Sequence, residues 1–366
     1  MVDPAPIPPP AIEAMEPYVS ARMLTAFSKD ATFLDANENP FDPDLGVFET
    51  DGLQHYADEA REQLEHAYAR FAGVDAECVF AARGIDEVID LVVKAFCEPH
   101  IDRVAAFTPT YGQYRVTSDI QRCAFTSLPY DDSLSLQDGL AKIAAGDFRV
   151  VFLCRPNNPT GHLAPGDEVD LLLKTAPRGT IIAVDEAYIE FCHAETCVDR
   201  LKQFPNLVVM RTLSKAFGLA GIHTGFCLAD KRVLTTLAKV ANPYPLPGPC
   251  SQIALRALED DNVAQMQNRV RYLCEVRDSF AGELRSLVGM TRLVASETNF
   301  VAACFADGPS LYAELRNRGI HIRELPPMLG QSGWLRFSIG TREQMEDVLG
   351  TLVDADTATS LRAARS

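Results

Sequence analysis

Five short apolar runs, each bounded by polar, Gly or Pro residues, constrain the fold of this chain most strongly. Their apolar residues are continuous rather than alternating, which is typical of parallel strands buried on both faces. Helical patterns separate them, so the sequence predicts an α/β fold in which helices cover both faces of a mostly parallel sheet. The runs are RVAAFT (103–108), VVFLC (150–154), TIIAVD (180–185), NLVVMR (206–211) and GFCLA (225–229).

Apolar residues at helical spacing predict helices before and after these strands. The clearest are 58–73 and 84–97, followed by 233–242 and by 251–289, which is long enough for two helices or one bent helix. Two further strands, NFVAACF (299–305) and WLRFSIG (334–340), lie beside helices at about 309–318 and 342–354. This last part of the chain predicts a small α+β domain.

The N-terminus predicts a different kind of structure. Five of the first ten residues are Pro, which favours an extended, mobile arm, with folded structure starting between Ile12 and Ala21. The length suggests two domains, or one domain with a satellite. We expect residues 1–45 to form an arm that packs with the small domain, 46–245 a large cofactor-binding domain, and 246–366 linking helices and the small C-terminal domain.

Composition excludes several classes of protein. With 34 Lys and Arg against 50 Asp and Glu, the net charge is −16, which disfavours binding to nucleic acid and to anionic membranes. No apolar stretch approaches the roughly 18 residues of a membrane span, and we expect a cytoplasmic protein without a secretory signal. The ten Cys form no C-x-x-C pair, and Cys192, His193 and Cys197 lack a second ligand pair, so we expect reduced thiols and no metal.

The residues that follow the strands carry the chemistry, because ligands of parallel α/β sheets bind at the carboxyl ends of the strands. These positions gather an aromatic ring, an amide, a carboxylate, a phenol, hydroxyls and an amine. They lie in the segments 110–112, 155–161, 185–188 and 212–218.

This set matches the needs of pyridoxal phosphate. The cofactor requires a Lys amine for covalent attachment and a carboxylate that keeps its pyridine nitrogen protonated. Lys215 is the candidate amine and Asp185 the candidate carboxylate. The alternatives are that Lys215 is a solvated surface lysine and that Asp185 is a helix N-cap. The helix start at Gly84, Ile85 and Asp86 offers backbone N–H groups for the phosphate.

Several segments resemble the fold-type I, class II aminotransferases, and within them the histidinol-phosphate aminotransferases. The similarity runs from about Pro17 to Thr351. The segments are LDANENP (34–40), TPTYGQY (108–114), RPNNPTG (155–161), VDEAYIEF (184–191), RTLSKAFGLAGIHTGF (211–226) and PYPLPGP (243–249).

The resemblance implies a role for each matching residue. Lys215 corresponds to the catalytic lysine that binds the cofactor and moves the proton, and Asp185 to the partner of the ring nitrogen. Tyr188 and Asn158 correspond to the groups that bind the 3-oxygen, and Tyr111 to the ring that stacks on the cofactor. The residues that match the phosphate site are Thr212, Ser214 and the backbone of 84–86.

The resemblance also implies a substrate and a partner. Arg336 corresponds to the Arg that binds the substrate α-carboxylate, a task suited to a bidentate guanidinium. Arg323 and Tyr18 match residues that bind the far end of the substrate. Tyr56 matches a tyrosine that reaches the phosphate site of a second subunit, which implies a homodimer with shared active sites. The implied reaction exchanges an amino group between L-histidinol phosphate and 2-oxoglutarate.

The sequence departs from the family at the phosphate site. Where the family has an Arg, eight residues after the lysine, this chain has His223, whose charge depends on pH. Three explanations are open: His223 binds the phosphate, Arg155 or Arg211 supplies the charge, or the chain is a paralogue with a changed pocket. A second departure is His55-Tyr56-Ala57 in place of Arg-Tyr-Pro.

Other functions compete with this one. The nearest is another pyridoxal-phosphate enzyme on the same scaffold, such as an aromatic aminotransferase, a phosphoamino-acid decarboxylase or an enzyme of specialised metabolism. A nicotinamide-dependent dehydrogenase would need a G-x-G-x-x-G after the first strand, which is missing. A non-catalytic binding protein would be expected to lose Lys215 or Asp185, and both are present.

Overall fold

The computed structural model describes residues 10–15, 31–46, 58–192 and 196–363, and its strands fall into two sheets. In chain order the strands are β1 (Thr32–Leu34), β2 (Val79–Ala82), β3 (Arg103–Thr108), β4 (Ala124–Pro129), β5 (Val150–Cys154), β6 (Ile181–Asp185), β7 (Leu207–Thr212), β8 (Gly225–Ala229), β9 (Met290–Leu293), β10 (Phe300–Phe305), β11 (Ile320–Glu324) and β12 (Trp334–Ser338). The helices are α1 (Pro10–Glu13), α2 (Asp58–Ala72), α3 (Gly84–Phe96), α4 (Gln113–Ile120), α5 (Gln137–Ala145), α6 (Gly166–Thr175), α7 (Lys231–Ala238), α8 (Gly248–Ala257), α9 (Asp260–Leu284), α10 (Gly308–Asn317) and α11 (Arg342–Ala363).

The large sheet has seven strands in the order β2-β8-β7-β6-β5-β3-β4. The strands from β7 to β4 run parallel, whereas β8 is antiparallel to both of its neighbours. The predicted α/β fold with a mostly parallel sheet is therefore confirmed. β8 reverses direction because the connection from β7 contains only a short 3₁₀ turn, Ala220–Ile222, and a parallel return usually needs a crossover helix.

The central strands are buried as their composition predicts. Every residue of β5, β6 and β7 is buried, because helices cover both faces of the sheet. One of these helices, α3, contacts β7 and β8 and buries an apolar face that includes Val88, Ile89 and Val92. This packing fixes the carboxyl ends of the strands and the start of α3 relative to one another.

The first two predicted helices are confirmed within two residues. α2 and α3 match the predicted helices 58–73 and 84–97. The long pattern over 251–289 resolves into two helices, α8 and α9, because the backbone becomes extended at Glu259.

Elements at the margins of the molecule were not predicted. β4 is an edge strand whose residues are mostly exposed or half-buried, so it lacks a continuous apolar run. β9, at the edge of the small sheet, is likewise half-exposed. A strand that is covered on one side needs fewer apolar residues. The continuous apolar pattern that identifies β5 to β7 is therefore weak in β4 and β9.

The small sheet joins distant parts of the chain, in the order β1-β11-β12-β10-β9. β1 pairs in parallel with β11, with Thr32 opposite Ile320, and the other pairs are antiparallel. Residues 1–9 of the predicted arm lie outside the described residues, and Pro10 begins α1. The predicted domain boundaries stay a prediction.

The described residues show no feature of a membrane span, a disulfide or a metal site. None of the helices in this part of the chain has the length and apolar character that a membrane crossing requires. All ten cysteines are described, and no disulfide joins any of them. Among the residues that the structure describes, which do not include His193, no group of three or more His, Cys, Asp or Glu side chains is placed to hold a metal ion.

Candidate active site

A cavity of about 630 Å³ opens at the carboxyl ends of β3, β5, β6 and β7, the edge at which the sequence predicts the site. Residues of β11 and β12 from the small sheet close its other side. Tyr18 and Tyr56 lie outside the described residues. The other thirteen predicted site residues line the cavity: Gly84, Ile85, Asp86, Tyr111, Asn158, Asp185, Tyr188, Thr212, Ser214, Lys215, His223, Arg323 and Arg336.

Asp185 is the last residue of β6 and is only 3% exposed. The hydroxyl of Tyr114 donates a hydrogen bond of 2.7 Å to its Oδ2, and the backbone N–H of Ala187 donates one of 3.0 Å to its Oδ1. Burial raises the pKa of Asp185 to about 6, although both hydrogen bonds act to lower it. The carboxylate is held by neutral donors, so a bound cation would be strongly favoured beside it.

Lys215 lies in the loop that follows β7. Its Nζ donates a hydrogen bond of 3.1 Å to the carbonyl oxygen of Ala36 and lies 6.0 Å from the centre of the Tyr188 ring. Burial, together with the positive charge of Arg336, lowers the pKa of Lys215 to about 8. A substantial fraction of this amine is therefore neutral near physiological pH, which a nucleophilic lysine requires.

A segment of the N-terminal region crosses the cavity and connects the two sheets. Asn37 donates a hydrogen bond of 3.0 Å from Nδ2 to the Tyr188 hydroxyl. Its backbone N–H donates to Oγ of Ser338 on β12 at 2.8 Å, and its carbonyl accepts from Nδ2 of Asn299 at 3.0 Å. Tyr188 is thus held by a residue that is itself anchored to the small sheet.

The same segment holds Arg336. One guanidinium nitrogen of Arg336 donates to Oδ1 of Asn158 at 2.6 Å, and the other donates to the carbonyl oxygen of Asp35 at 2.8 Å. Arg323 is the register partner of Arg336 on the neighbouring strand β11. Two guanidinium groups therefore stand on the wall of the cavity formed by the small sheet, and they make that wall positively charged.

Tyr111 follows β3 and lies at the start of α4. Its hydroxyl donates a hydrogen bond of 3.0 Å to Oδ1 of Asp86, and its ring meets the Tyr114 ring edge to face at 5.8 Å. The hydrogen bond fixes the ring at the cavity wall. This placement is compatible with stacking on a planar ligand.

The first turn of α3 forms an anion-binding surface at one end of the cavity. Its N-cap residue, Arg83, makes no side-chain cap hydrogen bond. Gly84 has a φ of 70°, a conformation that favours glycine, and a Cβ atom there would lie 2.6 Å from Nδ1 of His223. N–H groups in the first turn of a helix attract negative charge, so a phosphate would be stabilised here.

Hydroxyl groups complete this surface. Oγ1 of Thr212 donates to the carbonyl oxygen of Thr224 at 3.1 Å and accepts the backbone N–H of Ser214 at 3.0 Å. Oγ of Ser214 lies 3.0 Å from the same Oγ1. These bonds hold the loop between β7 and Lys215 in one conformation, with both side chains at the cavity.

His223 lies beside the start of α3 and is exposed to solvent. Its Nδ1 lies 3.1 Å from the carbonyl oxygen of Arg83, and a carbonyl can only accept, so Nδ1 carries the hydrogen. The backbone of His223 has a φ of 49°, in the left-handed region. The local geometry therefore directs this imidazole toward the anion-binding surface.

Arg155 and Arg211 are engaged away from the cavity. Arg211 Nε donates to Glu186 at 2.8 Å, and its Nη1 donates to Glu190 at 3.0 Å. Arg155 is 2% exposed, with Nη1 3.8 Å from Glu186. Both guanidinium groups are buried and neither lines the cavity, so neither is placed to contact a phosphate there.

Two residues that hold the site were not assigned from the sequence. Asn37 lies in the LDANENP segment and Tyr114 ends TPTYGQY, and neither received a role. Asn37 has a φ of 53° and is 1% exposed. Asn tolerates the left-handed region better than most residues, which is the one local signal that singles it out.

The side chains present fit pyridoxal phosphate, the cofactor that the resemblance implies. Lys215 offers an amine with a lowered pKa, for an aldehyde. Asp185 offers a buried carboxylate that forms no ion pair with any described Lys, Arg or His, for a protonated ring nitrogen. The start of α3 offers backbone N–H groups without a side-chain cap, for a phosphate. Each polar part of the cofactor finds a group of suitable chemistry.

Comparisons with known proteins agree with this geometry. The profile of "Aminotransferase class I and II" matches residues 32–352. The histidinol-phosphate aminotransferase of Aeromonas hydrophila is 38% identical over 94% of this chain and 96% of its own length. Histidinol-phosphate aminotransferase 2 of Mannheimia succiniciproducens is 38% identical over 93% and 96%. A crystal structure of the Sinorhizobium meliloti histidinol-phosphate aminotransferase, in complex with pyridoxal-5'-phosphate, shares the fold with a TM-score of 0.83 at 24% identity and covers 96% of this chain and 97% of its own.

Proposed function

The chain belongs to the class I and II aminotransferases, and from this membership we propose that it exchanges an amino group between histidinol phosphate and a 2-oxo acid, 2-oxoglutarate first. One observation carries the proposal. Lys215 and Asp185 face a single cavity whose opposite wall presents Arg323 and Arg336 side by side. The identity of 38% to enzymes named for histidinol phosphate supports that substrate among the possible amino donors.

Enzymes of this family use pyridoxal phosphate, which when bound withdraws electrons from the Cα atom of an amino substrate. Asp185 would hold the proton on the ring nitrogen, because a buried carboxylate without a cationic neighbour stabilises a positive charge placed beside it. Lys215 would bind the cofactor through Nζ. Once released, the same amine would carry the proton from Cα, since its pKa near 8 allows it both to accept and to return one.

Three side chains would orient the ring of the cofactor. Tyr188 and Asn158 are held by Asn37 and Arg336 and would bind the 3-oxygen. Tyr111, fixed by Asp86, would cover one face of the ring. At the phosphate end, the backbone of 84–86 would donate hydrogen bonds together with Thr212 and Ser214.

His223 would add positive charge to the phosphate site in its protonated form. The imidazole stands where the helix start and the loop hydroxyls converge, and the two buried arginines are committed to Glu186. The charged groups at the start of α3 are Arg83, the N-cap residue, which pairs with Glu87 at 2.9 Å, and Asp86 in the first turn. We therefore assign to His223 the direct contact with phosphate, rather than to Arg155 or Arg211.

Arg336 and Arg323 would bind the anionic ends of the substrates. A guanidinium can hold a carboxylate or a phosphate through two parallel hydrogen bonds. Arg336 already places two nitrogens toward oxygens of Asn158 and Asp35, which orients its plane at the cavity. Tyr18 would contribute to the same substrate site.

The direct test is turnover by the purified protein. Histidinol phosphate and phenylalanine are offered in turn with 2-oxoglutarate, and glutamate is measured. We expect glutamate from histidinol phosphate. Turnover of phenylalanine alone, or decarboxylation without glutamate, would instead favour another pyridoxal-phosphate enzyme on the same scaffold, a candidate that the His223 departure supports.

We also propose a homodimer with shared active sites, because Tyr56 corresponds to a residue that reaches a neighbouring subunit. Light scattering gives the oligomeric state. Mixing Tyr56→Phe and Lys215→Ala proteins tests the sharing, since a mixed dimer would contain one site with both native residues and show higher activity per native lysine than Tyr56→Phe alone. A dimer whose mixture gains no activity would contradict shared sites while leaving the reaction intact.

A further inference from the structure

Tyr114 is a fully buried residue of α4 that does not line the cavity, and the reaction proposed above leaves it without a role. Its hydroxyl donates a hydrogen bond of 2.7 Å to Oδ2 of Asp185. Its ring stacks on Phe152 of β5, with ring centres 4.6 Å apart and planes 3° from parallel. The stacking holds the phenol rigidly, so the position of its hydroxyl is set by the core of the large sheet.

This hydroxyl is the side-chain donor of the Asp185 carboxylate. The other oxygen, Oδ1, accepts only a backbone hydrogen bond, from Ala187, among the described residues. A hydrogen bond from a neutral donor to a charged oxygen stabilises the ionised form and also selects one rotamer. Without it, Asp185 would be a buried carboxylate held by a single N–H group.

We propose that Tyr114 is a positioning residue that keeps Asp185 ionised and oriented for the ring nitrogen of the cofactor. The inference rests on the proposed function, because it assigns Asp185 to that nitrogen. The proposed role of Tyr114 differs from a purely structural one in one respect. Its hydroxyl would act through the charge of Asp185, whereas its ring alone would be enough to maintain the packing.

The surroundings of Asp185 make this hydrogen bond important. Burial raises the pKa of Asp185, and the Tyr114 hydroxyl is the larger of the two hydrogen bonds that oppose this rise. Burial and the nearby charge of Asp185 also raise the pKa of Tyr114 itself, so the phenol keeps its proton and remains a donor. The titratable groups that interact electrostatically with Asp185 are Tyr114, Cys154, Asp86, Glu186, Tyr188 and Lys215.

The test compares Tyr114→Phe with Tyr130→Phe. Both remove one phenol oxygen from a buried tyrosine, but the Tyr130 hydroxyl has no hydrogen-bond partner within the described part of the chain. Cofactor-free proteins are titrated with pyridoxal phosphate by absorbance between pH 5 and 9, and their thermal unfolding is recorded without cofactor. We expect Tyr114→Phe to weaken binding at pH 7 about 10- to 100-fold and to move the acid limb of the affinity profile to higher pH. Tyr130→Phe should match the wild type.

A double-mutant cycle shows whether the hydroxyl acts through Asp185. In an Asp185→Asn background, where no charge remains to be stabilised, Tyr114→Phe should change the affinity by less than about 2-fold. An equal loss in both backgrounds would overturn the inference and assign Tyr114 to packing. An unchanged affinity and pH profile in Tyr114→Phe would also overturn it, with the proposed function intact. Failure of the wild type to bind pyridoxal phosphate would overturn both.

Discussion

Asp185 and Glu186 are adjacent carboxylates at the end of the same strand, yet they lie in opposite kinds of environment. Glu186 is fully buried among partners of opposite charge: Arg211 lies 2.8 Å away and Arg155 3.8 Å away. It also accepts hydrogen bonds from Thr196 Oγ1 at 2.7 Å and from the backbone N–H of Cys197 at 2.6 Å. Asp185 has two neutral donors and a raised pKa. Successive side chains of a strand point to opposite faces, which separates the two groups.

The difference distinguishes a structural charge from a functional one. Glu186 is compensated within the protein, so removing it would leave two buried arginines without their anion. Asp185 is not compensated, and its ionised form is destabilised until a cation binds beside it. Lys215 lines the same cavity as Asp185, and its lowered pKa shows that its charged form is destabilised there as well.

Lys215→Ala should have the largest effect. Loss of the amine removes both the covalent attachment and the proton carrier, and we expect kcat to fall by about 10⁴-fold or more. Borohydride reduction followed by intact-mass measurement should attach the cofactor to the wild type and not to the variant. Lys231→Ala, which removes an exposed ion pair with Glu77, is the control and should keep full activity.

Glu186→Gln should mainly affect stability. The substitution keeps the shape but leaves Arg155 and Arg211 with uncompensated charge, which costs about 3 to 5 kcal/mol in the free energy of unfolding. Urea denaturation of the cofactor-free protein measures it. If this variant were as stable as the wild type, the ion cluster would not be a structural element and the comparison with Asp185 would fail.

Asp185→Asn should raise the stability of the cofactor-free protein, whereas Glu186→Gln should lower it. The pKa of Asp185 is about 6 in the folded chain and ordinarily 3.8, so its contribution to stability is present below pH 4 and is lost as the pH rises through 6. The amide avoids this loss, and the variant should therefore be more stable than the wild type by about 3 kcal/mol at pH 7.

Thermal or urea unfolding between pH 4 and 7 checks the sign. Below about pH 4 the two proteins should have similar stability, and the variant should bind pyridoxal phosphate poorly at every pH. A variant that is less stable than the wild type at pH 7 would mean that the Asp185 carboxylate is compensated after all.

Substitutions of His223 should have the smallest effect. His223→Ala should weaken the binding of pyridoxal phosphate about 10-fold, because it removes the imidazole that lies beside the start of α3. His223→Arg should bind at least as tightly as the wild type, since a guanidinium stays charged. An unchanged affinity in His223→Ala would show that the imidazole does not contact the phosphate.

The elements that could be predicted are those with a strong local pattern. The runs at 150–154, 180–185 and 206–211 are apolar because they are covered on both faces, and they became β5, β6 and β7. Since carboxyl ends of parallel strands meet at one edge, the sequence alone predicts that Lys215 and Asp185 lie in one site. β4 and β9 lie at sheet edges, where partial exposure removes that pattern.

The sequence by itself determined the central strands of the large sheet, the edge that carries the site and the main functional residues that line the cavity. Only the tertiary structure decided how the site is held: Asn37 meets Ser338 across 301 positions, and Tyr114 meets Asp185 across 71. It also decided that Arg155 and Arg211 belong to Glu186, and that His223 faces the start of α3. The periodicity of a segment indicates how that segment is buried. Hydrogen bonds and ion pairs depend on which distant segments pack together, and no local pattern in the sequence predicts that pairing.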